Sequence, residues 1–284
     1  MSLIGTKFSL WRQHGARNSG PVFDAFEAGC KALGLTVVNN SADADVDVIW
    51  SVLFHGRMAP NKLIWERAQA SNKPVIVLEV GGINRGTTWK VGVNGINNAA
   101  YFGPVSNDDT RSSLLETQLQ PHNTHGENIL ICCQHDKSLQ WKNMPIMHTW
   151  LLQTIAELQS YSQRHIVVRP HPRCPITKVN RLFNNVSIEN PVKTIGSYDD
   201  FAIDYSNVHV TVSWSSNPGV HSIISGVPAI VGPQSLAYSV GMHNLSAVEQ
   251  LVLADRTQWF NDYAYTEWTL AEISLGIPLK RLTL

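Results

Sequence analysis

The chain has 284 residues, and at about 150 residues per domain this length corresponds to about two domains. Hydrophobic residues make up 43% of the chain and charged residues 15%, which supplies packed cores and excludes an intrinsically disordered chain. Lysine plus arginine number 22, as do aspartate plus glutamate, so the formal net charge is zero and argues against a partner recognised through whole-surface charge.

The sequence predicts a cytoplasmic protein with reduced cysteines. No run approaches the roughly 18–20 apolar residues of a membrane span. Lys7 and Arg12 interrupt the N-terminal segment where a signal peptide would need an apolar core. The four cysteines, at positions 30, 132, 133 and 174, have no CxxC spacing, and we interpret them as mostly buried thiols rather than redox or zinc groups.

The first half of the chain alternates short apolar runs with amphipathic stretches. These patterns predict strands over residues 3–10, 35–38, 46–53 and 75–80, and helices over 22–33 and 60–70. The alternation is typical of a parallel sheet covered on both faces. The glycine-rich segment 81–98 is either a functional loop or a pair of short hairpin strands. The polar segment 107–126 predicts a linker, which divides the chain into domains of residues 1–115 and 116–284.

After the linker the same alternation begins again. It predicts strands over residues 127–133, 165–169, 187–188, 208–213 and 228–231, and helices over 147–160, 198–205, 220–225 and 247–275. The predicted fold class is therefore α/β, with two Rossmann-like domains that have parallel sheets and face a cleft. In open parallel sheets, ligands bind at the carboxyl ends of the strands.

Two segments that follow predicted strands carry groups suited to an anion. The first is stiffened by two prolines and contains Arg169, His171 and Arg173. The second begins a helix and contains Ser215, Ser216, Asn217, Gly219 and His221. Guanidinium groups match phosphate oxygens, and hydroxyl and N–H groups at a helix start also suit an anion. A rigid solvated loop and ordinary helix capping are the alternatives.

A His-Pro loop combined with the order strand, Ser-Ser, short helix, Gly-x-Pro, strand resembles the donor-binding domain of GT-B-fold glycosyltransferases over residues 127–245. Capsule-polysaccharide and CDP-glycerol transferases are the most similar families. The resemblance implies that the residues of both segments bind the diphosphate of a nucleotide sugar. His221 stands where the family has a glutamate, so the identity of the donor stays open. The segments HGRMAPNKLIWE and QWFNDYAYTEWTL also resemble phage-encoded glycosyltransferase-like proteins.

The resemblance also bears on cofactors. A GT-B fold usually needs no metal, so we expect neither a metal nor a cofactor, and a nucleotide-diphosphate sugar as co-substrate. Asp43, Asp45 and Asp47 form an acidic run, but they stand at the amino end of a predicted strand. That is the wrong end for a site, and we interpret the run as a solvated loop.

If the reaction inverts the anomeric centre, a base must deprotonate the acceptor hydroxyl. Glu79 is the leading candidate, with His14 and His55 behind it, because all three stand where predicted strands end. A salt-bridged carboxylate and solvated histidines are the alternatives. A retaining reaction would not need this base.

The predicted acceptor-binding residues are basic or aromatic: Arg17, Arg57, Arg85, Trp89 and Lys90. Such side chains hold a sugar ring, or a nucleic-acid base and its phosphates. The predicted activity is that of a cytoplasmic hexosyl- or pentosyltransferase, located in the host cytoplasm if phage-encoded. Its acceptor is a glycan or a hydroxymethylated base in phage DNA, although zero net charge counts against a large DNA footprint. A sugar-nucleotide epimerase and a non-catalytic nucleotide- or glycan-binding protein are the alternatives, and the oligomeric state stays open.

Overall fold

The computed structural model describes residues 5–176, 179–195 and 200–282. The chain divides into two compact units, each with its own sheet. Unit 1 comprises Met1–Arg111, Lys137–Leu139 and Asn261–Leu284, and unit 2 comprises Ser112–Asp136 and Gln140–Phe260. Unlike the predicted domains 1–115 and 116–284, these units are discontinuous. The C-terminal tail belongs to unit 1 because it completes the sheet and core of that unit.

Strands and helices alternate along the first part of the chain as the sequence predicts. They are β1 (Lys7–Leu10), α1 (Gly20–Ala32), β2 (Thr36–Asn39), β3 (Val46–Trp50), α2 (Asn61–Ala70), β4 (Val75–Val80), β5 (Trp89–Val93) and the short α3 (Thr110–Leu114). The first strand, predicted over residues 3–10, is described from Lys7, and residues 1–4 lie outside the described part of the chain.

The second part of the chain repeats the alternation and then returns to unit 1. Unit 2 contains β6 (Asn128–Cys132), α4 (Met147–Tyr161), β7 (Ile166–Arg169), β8 (Val186–Ile188), β9 (Val208–Ser213), α5 (Asn217–Ile224) and β10 (Ala229–Val231). The tail contains α6 (Thr257–Ala264), β11 (Glu267–Trp268), α7 (Leu270–Ser274) and α8 (Ile277–Arg281). Within the described residues, no helix has the length and apolar character that a membrane crossing requires.

Both sheets are built around parallel strands, which confirms the predicted α/β fold class. The sheet of unit 2 has five strands in the order β10-β9-β6-β7-β8, and all of its pairs are parallel. The sheet of unit 1 has six strands in the order β11-β5-β4-β3-β1-β2. There β5 and β11 are antiparallel additions at one edge, so the glycine-rich segment forms a hairpin with β4.

Apolar side chains cover both faces of the sheet in unit 1. On one face Phe8 and Trp50 pack with Phe26 of α1 and Trp268 of the tail. On the other face Ile49 packs with α2. In unit 2 a cluster of buried residues from β6, β7 and β9 packs against α4. Since helices occupy the faces, the carboxyl ends of the parallel strands are where loops can present polar groups.

Two helices predicted in the second half are wrong in the described residues. Within the predicted helix 198–205, Phe201 pairs with Lys193 in an isolated bridge, and the Thr194 N–H donates to the Asp200 carbonyl at 2.9 Å. This extended pairing uses backbone groups that a helix would need, and residues 198 and 199 lie outside the described part. The tail predicted as one helix over 247–275 is broken by irregular backbone at 251–256 and by β11. The α5 helix begins at Asn217, earlier than predicted, with Pro218 in its first turn.

Candidate active site

The candidate donor site lies at the carboxyl edge of the sheet in unit 2. The strands β9, β6 and β7 are neighbours and parallel, so the residues that follow them emerge at one edge. After β6 come Gln134 and His135, after β7 comes His171, and after β9 comes Ser215. The sequence predicted His171 and Ser215 for this edge, and it missed the two residues from β6.

Two buried hydroxyl groups stand at the amino end of α5. The Oγ atoms of Ser213 and Ser216 make no hydrogen bond within the described part of the chain. Ser216 is the N-cap residue, but its side chain makes no capping hydrogen bond. Gly219 allows this close packing, because a Cβ there would lie 2.4 Å from Ser213 Oγ. Unsatisfied buried hydroxyls at a helix amino end suit an anionic ligand.

Ser215 connects the segment after β9 to the segment after β6. Its N–H and its Oγ both donate to Gln134 Oε1, at 2.9 and 3.0 Å, and Oγ also lies 3.2 Å from Gln140 Oε1. The predicted donor-binding residue Ser215 therefore contacts the loop after β6. Asn217 and His221, both half-buried, lie on the helix that follows.

Two histidines from neighbouring strand ends are in ring contact. His135 packs edge-on against His171 with centroids 5.6 Å apart, and its Nδ1 lies 3.8 Å from Asp136 Oδ1. The Arg173 N–H donates to His171 Nδ1 at 3.1 Å, so a neutral His171 ring carries its proton on Nε2. His135 was detectable from sequence, because it follows the apolar run ILICC at a strand end.

The structure separates Arg169, the last residue of β7, from His171 and Arg173 in the loop that follows. His171 and Arg173 line one groove, together with Lys193 and Phe201. Arg169 is buried instead, and its Nη2 donates to the Phe201 carbonyl at 3.1 Å. Arg169 thus supports the wall of the groove, whereas Arg173 is exposed along it.

The candidate base residues share one edge of the sheet in unit 1. They follow or end β1, β3 and β4, which are neighbouring parallel strands. Burial lowers the pKa of His14, which stacks on Trp11. His55 is exposed, and Glu79 is half-buried with Oε1 accepting the Val80 N–H at 2.8 Å.

Asn61, which sequence reasoning missed, links two of these strand ends. The residue is fully buried at the start of α2, and its Nδ2 donates to the Trp50 carbonyl at 2.8 Å and to the His14 carbonyl at 3.4 Å. Ser51, directly after β3, has φ of 64°, a left-handed conformation that is uncommon for a residue other than glycine. Backbone strain of this kind clusters at functional sites.

The predicted acceptor-binding residues are dispersed within unit 1. Arg17 and Arg57 are exposed, and Arg85 is half-buried in the loop after β4. Trp89 packs against the core as a cross-strand neighbour of Val80. Lys90 is not on a binding surface as expected: it is 3% exposed and lies 3.8 Å from Glu267 Oε1, because β5 is an interior strand of the sheet.

The acidic run before β3 is solvated in part only. Asp43 is exposed and pairs with Lys7, as expected of a surface loop. Asp47 is fully buried in β3, which corrects the prediction for that residue. Its carboxylate accepts from Trp11 Nε1 at 2.7 Å and lies 3.1 Å from Nζ of half-buried Lys73, which neutralises the buried charge of Asp47.

Comparison with solved structures finds similar folds in two proteins of Thermosulfurimonas dismutans. The KpsC beta Kdo 2,4 transferase has a TM-score of 0.53 at 12% identity, over 93% of this chain and 92% of that chain. The KpsC beta Kdo 2,7 transferase has a TM-score of 0.54 at 16% identity, over 97% and 99%. At such identities the likeness establishes the fold alone, an α/β fold with parallel sheets that this chain shares with the two transferases.

The remaining comparisons add no argument. A Listeria monocytogenes protein described as a UDP-N-acetylglucosamine 2-epimerase has a TM-score of 0.34 at 10% identity, over 99% of this chain and 95% of that chain. No protein family profile matches the sequence, and no curated protein matches it.

Proposed function

We propose that this protein transfers a glycosyl group from a nucleotide-activated donor to an acceptor hydroxyl. The observation that carries the proposal is the pair of buried hydroxyls, Ser213 and Ser216, at the amino end of α5. Such groups are costly to bury without a partner, and the phosphate of a nucleotide sugar would supply acceptors for both. The fold and the groove lined by His171 and Arg173 agree with this assignment.

In the proposed transfer, negative charge develops on the phosphate that leaves the sugar. The acceptor oxygen attacks the anomeric carbon, the bond from that carbon to the phosphate oxygen breaks, and negative charge grows on the departing phosphate. The donor groups at the edge of unit 2 would stabilise that charge. In an inverting reaction Glu79 would take the proton of the acceptor hydroxyl, with His14 and His55 as the other candidates.

The donor and acceptor classes are also part of the proposal. The donor is a nucleotide-activated hexose, pentose or sugar acid, and activated Kdo belongs in the assay because both similar structures are Kdo transferases. The acceptor is the hydroxyl of a glycan. A hydroxymethylated DNA base is the other acceptor class to include, and it predicts salt-sensitive retention of duplex DNA.

Calorimetric titration with nucleoside phosphates and nucleotide sugars tests the donor site. Ser216→Ala and Arg173→Ala should each weaken binding by about 1.5–3 kcal/mol, the value of a hydrogen bond to a charged group. Because Ser216 makes no capping hydrogen bond, its replacement should leave the melting temperature nearly unchanged. Ser160→Ala on the exposed side of α4 is the matched control. Failure of every nucleotide to bind the unmodified chain would remove the donor site from the proposal.

Turnover separates the chemical alternatives. Glu79→Gln should slow transfer strongly and leave donor affinity unchanged, and full activity of this variant would eliminate Glu79 as the base. A nucleotide sugar incubated without an acceptor should stay unaltered apart from slow hydrolysis. An isomerised sugar would instead identify an epimerase, and tight binding without transfer to any acceptor would identify a binding protein.

A further inference from the structure

Unit 1 contains a fully buried carboxylate that has no part in the proposed reaction. Glu267 of β11 has no solvent exposure. Its Oε1 accepts from the Gly82 N–H at 2.6 Å and from the Tyr263 hydroxyl at 3.0 Å. Its Oε2 accepts from the Ile83 N–H at 3.0 Å and from the Thr88 hydroxyl at 2.8 Å. Each carboxylate oxygen therefore serves one pair of donors.

Most of these donors belong to the β4–β5 loop, residues 81–88. Gly82 and Ile83 begin the loop and Thr88 ends it, so a single carboxylate holds both ends. Gly81 makes room for this contact, because a Cβ there would lie 2.5 Å from Glu267 Oε2. Side chains at functional sites are held in position by such supporting hydrogen bonds.

The charge of Glu267 is balanced within the same sheet. Lys90 stands between two carboxylates, since the strand register pairs it with Glu79 on β4 and with Glu267 on β11. Tyr263 and Arg85 are the other titratable groups near it. Burial lowers the pKa of Lys90, while Glu267 and Glu79 oppose that shift. Burial and Glu267 keep the pKa of Tyr263 well above its usual value, so its hydroxyl stays a donor.

We propose that Glu267 is a positioning residue, with Lys90 as its counter-ion, that fixes the β4–β5 loop for binding of the acceptor. The loop begins two residues after Glu79, the candidate base, and it carries Arg85. This inference rests on the proposed function for its kinetic consequences, but the effect of Glu267 on the loop does not depend on that function.

Two variants distinguish the loss of loop geometry from the loss of charge balance. One is Glu267→Gln, and the other combines Glu267→Gln with Lys90→Met. Glutamine has one acceptor oxygen and a donor NH2 group, so it can serve only one of the two donor pairs and the loop must shift. The single variant also leaves Lys90 buried without its partner at Glu267. The double variant removes that ammonium and should recover most of the lost melting temperature. It should not recover the loop geometry.

Hydrogen exchange and kinetics together provide the readouts. In the double variant we expect the amides of Gly82 and Ile83 to exchange at least about tenfold faster, and the acceptor KM to rise about 10–100-fold. Donor affinity should stay within about twofold, because the donor-site residues lie in unit 2. Glu272→Gln is the matched control, since this tail carboxylate pairs with Arg111 and holds no residue of the loop.

The possible results are distinct. Unchanged exchange in the loop and an unchanged acceptor KM in the folded double variant would overturn the positioning role. A rise in KM caused equally by Glu272→Gln would overturn it as well, because general destabilisation would then explain the effect. If the unmodified chain transfers no sugar, the proposed function fails, and the exchange measurement alone decides whether Glu267 positions the loop.

Discussion

Burial separates the four cysteines of this chain into two kinds. Cys30, Cys132 and Cys133 are buried, and Cys174 is half-buried in the loop after β7. Burial raises the pKa of Cys30 and of Cys132 to about 12, and it also raises the pKa of Cys133. Since the thiolate is the reactive species, the three buried thiols should be inert in the folded protein.

The prediction at this scale is selective labelling of Cys174. Ellman's reagent at pH about 8 should modify Cys174 in the native protein, and all four cysteines only after denaturation. The variant Cys174→Ser should abolish native labelling. Rapid modification of that variant would mean that a segment holding Cys30, Cys132 or Cys133 opens readily, in disagreement with the burial of these thiols.

At the scale of secondary-structure elements, one arginine connects α3 to the C-terminal tail. Arg111 on α3 is buried, forms an ion pair with Glu272 of α7, and donates to the Glu267 carbonyl at 2.5 Å. Its guanidinium also lies 4.2 Å from the ring centroid of Trp268. The sequence showed a basic residue in a polar linker and did not reveal these contacts.

Replacing Arg111 by methionine keeps most of the side-chain volume and removes the charge. We expect a loss of about 3–5 kcal/mol in the free energy of unfolding, because Glu272 and the Glu267 carbonyl lose their donor. Urea denaturation measures this loss, and Arg17→Met is the control because Arg17 is exposed. A loss of less than about 1 kcal/mol, typical of exposed ion pairs, would show that the contact does not anchor the tail.

At the scale of the whole molecule, unit 1 is built from separate stretches of the chain, so its stability depends on the C-terminal tail. The tail supplies β11 at the sheet edge and buried Trp268, Ile273 and Leu279 in the core. A chain ending at residue 260 lacks these groups and leaves Lys90 without Glu267. Unit 2 keeps its complete sheet and core within residues 112–260 apart from Lys137–Leu139.

We therefore expect the chain 1–260 to lose the cooperative unfolding of unit 1 and to retain that of unit 2. Calorimetry should record a smaller unfolding enthalpy than for the full chain, because unfolding enthalpy scales with the number of folded residues. The separate segment 112–260 should reproduce the remaining transition. An unfolding enthalpy equal to that of the full chain would contradict the assignment of the tail to unit 1.

The sequence by itself determined the local elements and the edges at which polar groups gather. The apolar run at 75–80 coincides with β4, because strands buried on both faces are rich in apolar side chains. The alternating valines of residues 208–213 coincide with β9. The predicted ends of β1, β4, β7 and β9 agree with the structure, whereas β3, predicted to end at residue 53, ends at Trp50. These features depend on neighbours in sequence, which a periodic pattern records.

Only the tertiary structure decided which polar side chains are buried and with what partner. Lys90 contacts Glu267, 177 positions away in the chain, and Asp47 contacts Lys73 in the connection between α2 and β4. The amphipathic pattern cannot distinguish a solvated charge from one neutralised by a distant strand. The antiparallel edge of the sheet in unit 1 also depends on long-range pairing. The tail strand β11 pairs with β5, and β5 in turn pairs with β4.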